Sequence, residues 1–287
     1  MTIWTCATCA IEHPDTPSPP ETCAICSDER QYVPVGGQRW ITRDELEAQG
    51  MRIDVTQLET DLHGVTTRPR LGIGQRALLL RTTGGNLLFE PPGFIDAQGV
   101  ETVRVLGGVS AIASSHPHLT GSSIQWSHAF GRVPVYVSRQ DRAWTRRPDD
   151  VITYWSDRIE ILPGVTMVEV GGHFAGSSLV HWQAGAEGQG ALLTGDTIAI
   201  GADRKSVNVM RSYVNNIPLP ARAVRRIMDH AASLPFERLY GAFGELHQDA
   251  HTIVQRSLAR YIAWLSDDVG DRAVLAALDQ SQSSSRG

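Results

Sequence analysis

The chain has 287 residues, 41% of them hydrophobic, with a formal net charge of -5 and a pI near 6.0. That is enough apolar material for a sizeable core in one large domain or two. Its scattered Lys and Arg residues exclude the basic footprint that nucleic acid or an anionic membrane requires. The one local basic group, Arg142, Arg146 and Arg147, is diluted by Asp141, Asp149 and Asp150. No apolar run approaches the ~18 residues of a bilayer span, and no charged start leads into a signal-like apolar segment. A soluble cytoplasmic protein acting on a small-molecule substrate is therefore expected, with a homo-oligomer left open.

The first tenth of the chain holds all four cysteines, Cys6, Cys9, Cys23 and Cys26, as two C-x2-C pairs thirteen residues apart. Two such pairs, each in a tight turn, make a tetrahedral thiolate cage, so a structural zinc is expected in a module spanning residues 1–36. The intervening AIEHPDTPSPPET has too little apolar content for a core of its own, and metal binding would supply most of its folding free energy. The signature resembles a zinc ribbon. The alternatives are a rubredoxin-like iron centre, although neither pair is followed by the glycine usual there, and reduced, unliganded thiols.

Beyond residue 37 the texture changes. ITRDELEAQG offers Thr42 as N-cap, Glu45 to complete a capping box and Gly50 as the stop of a short helix. RALLLRT and NLLFE flank Gly84 and Gly85 as a hairpin. Further strand-like runs occur at AIASS, VPVYV, VTMVEV, SLVHW and ALLTG, and SSIQWSHAFG reads as a helix from Ser122 or Ser123 to Gly131. Two amphipathic helices close the chain. One follows Pro220 and aligns Val224, Ile227, Met228 and Ala231; the other aligns Ile253, Val254, Leu258, Tyr261, Ile262 and Leu265. The expected body is an α/β domain over residues 37–275, with the polar stretch 276–287 disordered.

Ligand-type side chains recur at strand ends. His116 and His118 follow AIASS, and Pro117 between them argues against helix, so extended chain should project both imidazoles to one side. His173 follows VTMVEV and two glycines, and Asp196 follows the strand ALLTG. His181, on a strand, and His128, on a helix, read as hydrogen-bonded histidines outside any centre.

The ordered set SHPHLTG, GGHFAGSS and LLTGDT, followed by YGAFGELHQDA before a C-terminal helix, resembles the metallo-β-lactamase superfamily from about residue 65 onward. The resemblance implies an αββα sandwich with a metal site at the sheet ends. In the family motif His-x-His-x-Asp-His, His116 and His118 match, whereas Thr120 and Gly121 stand in place of the last two ligands. The family's further histidine maps onto His173 and its bridging aspartate onto Asp196, while its final histidine would fall between Gly241 and Gly244, where none stands. One complete set of first-metal ligands thus remains and every position specific to the second metal is missing, which implies a mononuclear site. By the same resemblance, Tyr213, Asn215 and Asn216 lie in a substrate-contacting loop, and Glu245 and His247 lie close to the missing histidine.

Three functional readings follow. In the first, the protein is a zinc or iron hydrolase in which His116, His118, His173 and Asp196 hold one metal, and Asp196 takes the general-base role that the family assigns to residues absent here. Three imidazoles and a carboxylate would close a tetrahedral zinc, so the site must expand to five ligands, or Asp196 must bond to water, or the metal is iron(II) with open positions. The second reading is an iron dioxygenase on the same fold. The third is a non-catalytic binding protein with a vestigial site.

Overall fold

The computed structural model describes residues 2–265. The stretch expected to be disordered, 276–287, lies outside the described residues. At the N-terminus β1 (Thr2–Cys6) pairs antiparallel with β2 (Glu12–Thr16) and with β3 (Trp40–Ile41), so the small sheet of the cysteine module takes in residues beyond 36. Helix α1 (Arg43–Ala48) begins as the sequence dictates: Thr42 accepts from the Glu45 backbone N–H, and the Glu45 carboxylate accepts from the Thr42 N–H, a reciprocal capping box.

Seven strands form the first large sheet. β4 (Arg52–Glu59), β5 (Leu62–Arg68), β6 (Ala77–Thr82) and β7 (Gly85–Phe89) are an antiparallel meander. After α2 (Ala97–Val105), strands β8 (Ala111–Ala113), β9 (Val135–Ser138) and β10 (Ile152–Trp155) add in parallel, with α3 (Ser123–Ala129) between β8 and β9. The expected 84–85 hairpin is the β6–β7 turn. Strands β4, β5 and β10 and helix α2, whose apolar periodicity is weak, were not legible in the sequence.

The second sheet has the order β11-β12-β13-β14-β19-β20. Its members are β11 (Arg158–Leu162), β12 (Val165–Glu169), β13 (Ser178–Trp182) and β14 (Ala191–Gly195), then β19 (Arg238–Gly241) and β20 (Glu245–Leu246). Two small ribbons lie between β14 and α4 (Ala221–Ala232). They are β15 (Ala199–Ile200) with β16 (Val207–Asn208), and β17 (Met210–Ser212) with β18 (Ile217–Pro218). Helix α5 (Ala250–Leu265) follows β20.

Period-two alternation in the strands builds four layers. Leu78, Leu80, Leu87 and Phe89 of the first sheet face Val165, Met167, Val180 and Leu193 of the second. The intervening Leu79 and Leu88 point the other way, toward Val103 of α2 and Ile124 and Trp126 of α3. On the far side Leu179, Leu192 and Leu239 meet Val224 and Ile227 of α4 and Val254 and Leu258 of α5. This is an αββα sandwich. Leu265, expected on the buried face of α5, is exposed. Among the described residues no helix is long and apolar enough to cross a membrane.

Candidate metal centre

The four cysteines converge in the first module. All four sulfurs lie within 4.8 Å of one another, with Cys6–Cys26 at 3.6 Å and Cys9–Cys23 at 3.7 Å. A tetrahedron of ~2.3 Å zinc–sulfur bonds has an edge of about 3.8 Å, whereas a disulfide needs about 2.05 Å. The donor set therefore fits a metal and not a pair of bridges. Hydrogen bonds from Cys26, Cys6 and Cys9, with His13 adding, pull the Cys23 thiol far below its ordinary range, and the Cys6 thiol is lowered to about 6, so the cluster carries thiolate character. The Gln38 side-chain amide donates to Cys6 Sγ at 3.1 Å, the kind of outer contact that tunes a thiolate ligand.

The second cluster forms where β8, β12 and β14 end. His116 is extended (φ -167°, ψ 173°), as the residue before a proline prefers. The segment Pro117–Leu119 then turns as a 3-10 helix instead of continuing extended. Proline is well tolerated in that first helical position, where its missing N–H is not needed. The turn, not an extended i, i+2 geometry, brings the His116 and His118 rings to 5.3 Å. His173, beyond Gly171 and Gly172 in the β12–β13 loop, places its ring 4.8 Å and 4.9 Å from the other two. Each of the three histidines is exposed by 2% or less.

Outer hydrogen bonds fix which nitrogens are free. Glu90 Oε1 accepts from the Ser115 backbone N–H and, at 2.5 Å, from Ser115 Oγ. Ser115 Oγ is then the acceptor for His116 Nδ1 at 2.8 Å, which leaves His116 Nε2 as the lone-pair nitrogen. His173 Nδ1 donates to the Met210 carbonyl at 3.1 Å, so its Nε2 is free and faces His118 Nδ1 at 3.1 Å. Burial holds His116 and His118 well below the usual imidazole pKa and His173 at about 4, so all three are neutral donors. Asp196 Oδ1 lies 3.0 Å from His116 Nε2, and both atoms are buried without a hydrogen-bond partner. His118 Nε2 is likewise unpartnered. Neutral lone pairs facing one another beside an unpartnered carboxylate oxygen fit a divalent cation.

Asp196 is no helix cap, since the chain after it turns into β15. Burial raises its pKa to about 7 and that of Glu90 to about 8. Tyr213 donates from its hydroxyl to the Asp196 carbonyl at 2.8 Å, and its ring lies 5.7 Å from His173. The other loop and strand-end candidates have different partners. Asn215 donates to the Glu29 carbonyl, and Asn216 is exposed with φ 56°. Glu245 pairs with Arg76 at 2.7 Å and lies 3.9 Å from His247. His181 donates to the Pro235 carbonyl at 2.6 Å as a satisfied strand histidine. His128 is also bonded, to Asp149 at 3.0 Å, but at the protein surface.

One of the missing positions, 121, is sterically held to glycine. Gly121 adopts φ 47°, and a Cβ there would sit 2.0 Å from the Pro91 carbonyl oxygen. Its own carbonyl accepts from the Glu12 N–H of β2. Gly195 is similarly obligatory: with φ 56°, a Cβ would lie 2.4 Å from Ser115 Oγ and 2.5 Å from Glu90 Oε1. Sequence reasoning passed over Glu90 and Ser115, although their places, at the end of an apolar run before two prolines and directly before His116, were the available signals. It also passed over Arg30 and Phe174, for which local sequence carries none.

Layers, topology and strand-end site together define a protein of the metallo-β-lactamase fold carrying an N-terminal four-cysteine module. Solved structures bear this out at low identity. The DIM-1 metallo-β-lactamase superposes with a TM-score of 0.54 at 12% identity, over 73% of this chain and 98% of that one. The mono-zinc form of FIM-1 from Pseudomonas aeruginosa gives 0.55 at 10% identity, over 73% and 96%. A B3 enzyme described as having an active-site glutamic acid gives 0.51 at 15%, over 75% and 89%. No family model matches the sequence. The chain belongs to the family of the uncharacterized protein YmaE of Bacillus subtilis, with which it is 39% identical over 272 residues, 94% of this chain and 99% of that one.

Proposed function

We propose that the protein is a metal-dependent hydrolase with a mononuclear centre held by His116, His118 and His173, with Asp196 completing the site. The observation that carries this reading is the pair of buried, unpartnered atoms His116 Nε2 and Asp196 Oδ1, 3.0 Å apart beside the other two histidines. Zinc is the metal proposed for the four cysteines, and zinc or iron for the histidines. When bound, the metal supplies the Lewis acidity that makes water nucleophilic at neutral pH.

The residues divide the remaining work. Ser115 and Met210 hold His116 and His173 in the tautomers that present Nε2. Asp196 would accept and hold the proton released from water on the carboxylate oxygen not engaged at the centre, and Tyr213 fixes the Asp196 backbone through its hydroxyl. Deep burial of the imidazoles excludes bulk water and strengthens each electrostatic contact. Candidate substrates are esters, thioesters, amides and phosphoesters. His116→Ala and Asp196→Asn are expected to abolish turnover across a panel of these while leaving the circular dichroism spectrum unchanged. His116→Ala should also cost one equivalent of metal by elemental analysis. Full activity in either variant would refute the assignment.

A further inference from the structure

The cysteine module does not hang free of the centre. Its second knuckle runs straight into it: Ser27 N–H donates to the Cys23 carbonyl at 3.0 Å and Asp28 N–H to the Ile25 carbonyl at 3.4 Å. Asp28 then takes the Arg30 guanidinium in a two-pronged pair, Nε to Oδ1 at 2.5 Å and Nη2 to Oδ2 at 2.9 Å, and caps the Arg30 backbone N–H at 3.0 Å. Arg30 is buried. Its Nη1 donates to the His173 carbonyl at 3.3 Å, and its plane lies 3.6 Å from the Phe174 ring centroid and 4.8 Å from that of Trp144.

Phe174 is the floor of the histidine cluster. Its centroid stands 5.5, 4.7 and 5.3 Å from those of His116, His118 and His173. Arg30 packs over the same ring. The adjoining strap is tied down as well: Arg211 pairs with Glu29 at 2.9 Å, and Asn215 donates to the Glu29 carbonyl at 2.7 Å. His173 itself sits in a loop opened by two glycines of positive φ, so its place depends on what packs against it.

We propose that Arg30 is a positioning residue for the three-histidine centre, through which the four-cysteine module sets how tightly that centre holds its metal. The inference rests on the reading of His116, His118 and His173 as metal ligands. Arg30 acts through a fork and a flat face that lysine cannot reproduce.

The test uses the full chain loaded with cobalt(II). Thiolate-to-cobalt charge-transfer bands report the cysteine site, and the visible ligand-field bands of the histidine-bound ion report the body. Each affinity is measured by chelator competition. Arg30→Ala should weaken the histidine site on the order of 10–100-fold, the usual effect of removing an outer partner, and alter its ligand-field bands while the thiolate bands persist. Arg30→Lys should restore little. Asn215→Ala, which loosens the strap at its exposed end, should weaken the same site by a smaller factor. A histidine-site affinity within twofold of wild type in Arg30→Ala overturns the proposal and leaves the hydrolase reading standing. If Arg30→Ala does not fold, wild-type affinity in both Arg30→Lys and Asn215→Ala overturns it. If wild type takes up cobalt at the cysteines alone, this proposal and the hydrolase reading fall together.

Discussion

Placing a histidine at position 121, where the metallo-β-lactamase motif carries one, is the sharpest test of the proposed mononuclear centre. In Gly121→His, and already in Gly121→Ala, the new Cβ must enter at φ 47°, 2.0 Å from the Pro91 carbonyl oxygen and 2.8 Å from Pro92 backbone atoms. A left-handed non-glycine residue costs about 1–3 kcal/mol, and forcing extra volume against backbone that cannot rotate away adds about 1–3 kcal/mol. Moving the Gly121 carbonyl would also cost the hydrogen bond from Glu12 N–H that seats the cysteine module. The expected loss is about 2–6 kcal/mol, or a fall in Tm of about 3–10 °C for a chain of this size. Thr120→Asp is the control. Thr120 has an ordinary right-handed conformation, φ -74°, and loses only its hydroxyl bond to the Pro117 carbonyl, about 1 kcal/mol. Thermal unfolding with metal present separates the two. Should Gly121→Ala melt within 2 °C of wild type, or should Gly121→His bind a second metal with no loss of stability, the steric account is wrong.

Two further outcomes follow from buried carboxylates. Burial raises the pKa of Asp141 to about 6, against a bond from the Gly176 N–H to Oδ1 that works the other way. Between about pH 4 and 6 the folded form therefore retains a proton that the unfolded chain has released, and Asp141 lowers stability as pH rises through that window. Asp141→Asn keeps the Oδ1 acceptor and removes the titration, so its stability relative to wild type should improve by about 2–3 kcal/mol from pH 4 to pH 7 in denaturant titrations; an offset that does not move with pH refutes this. Glu12, almost fully buried, accepts from Ile124 N–H and pairs with Arg147 at 2.6 Å. Arg147→Ala should cost about 3 kcal/mol by stranding that carboxylate, and Glu12→Gln/Arg147→Ala should recover part of it; a double variant no more stable than the single one counts against the pairing.

Periodicity and spacing carried much of the architecture. The β6–β7 hairpin, strands β12 to β14 and helices α1, α3, α4 and α5 were each legible, because alternating or amphipathic runs bounded by glycine, proline or a capping box are local properties of the chain. The strand-end places of His116, His118, His173 and Asp196 were readable as well, and their order along the chain carried the resemblance to the metallo-β-lactamase superfamily. Strands β4 and β5, with scattered polar residues on both faces, and the weakly amphipathic α2 acquire their identity from the sheet they join. The 3-10 turn at Pro117 replaced an expected extended segment, since proline forbids helix to the residue before it but permits a turn to begin at itself.

Sequence alone thus determined the donor atoms: four thiols in two knuckles, three imidazoles and a carboxylate at successive strand ends. Tertiary structure decided what those atoms can do. It chose the tautomers through Ser115, Glu90 and Met210, crowded position 121 with the Pro91–Pro92 backbone, and brought Arg30 across 143 positions of sequence to the His173 carbonyl. Donor chemistry is fixed by residue type and can be read one position at a time. Proton placement, excluded volume and long-range clamps arise only when distant segments pack together.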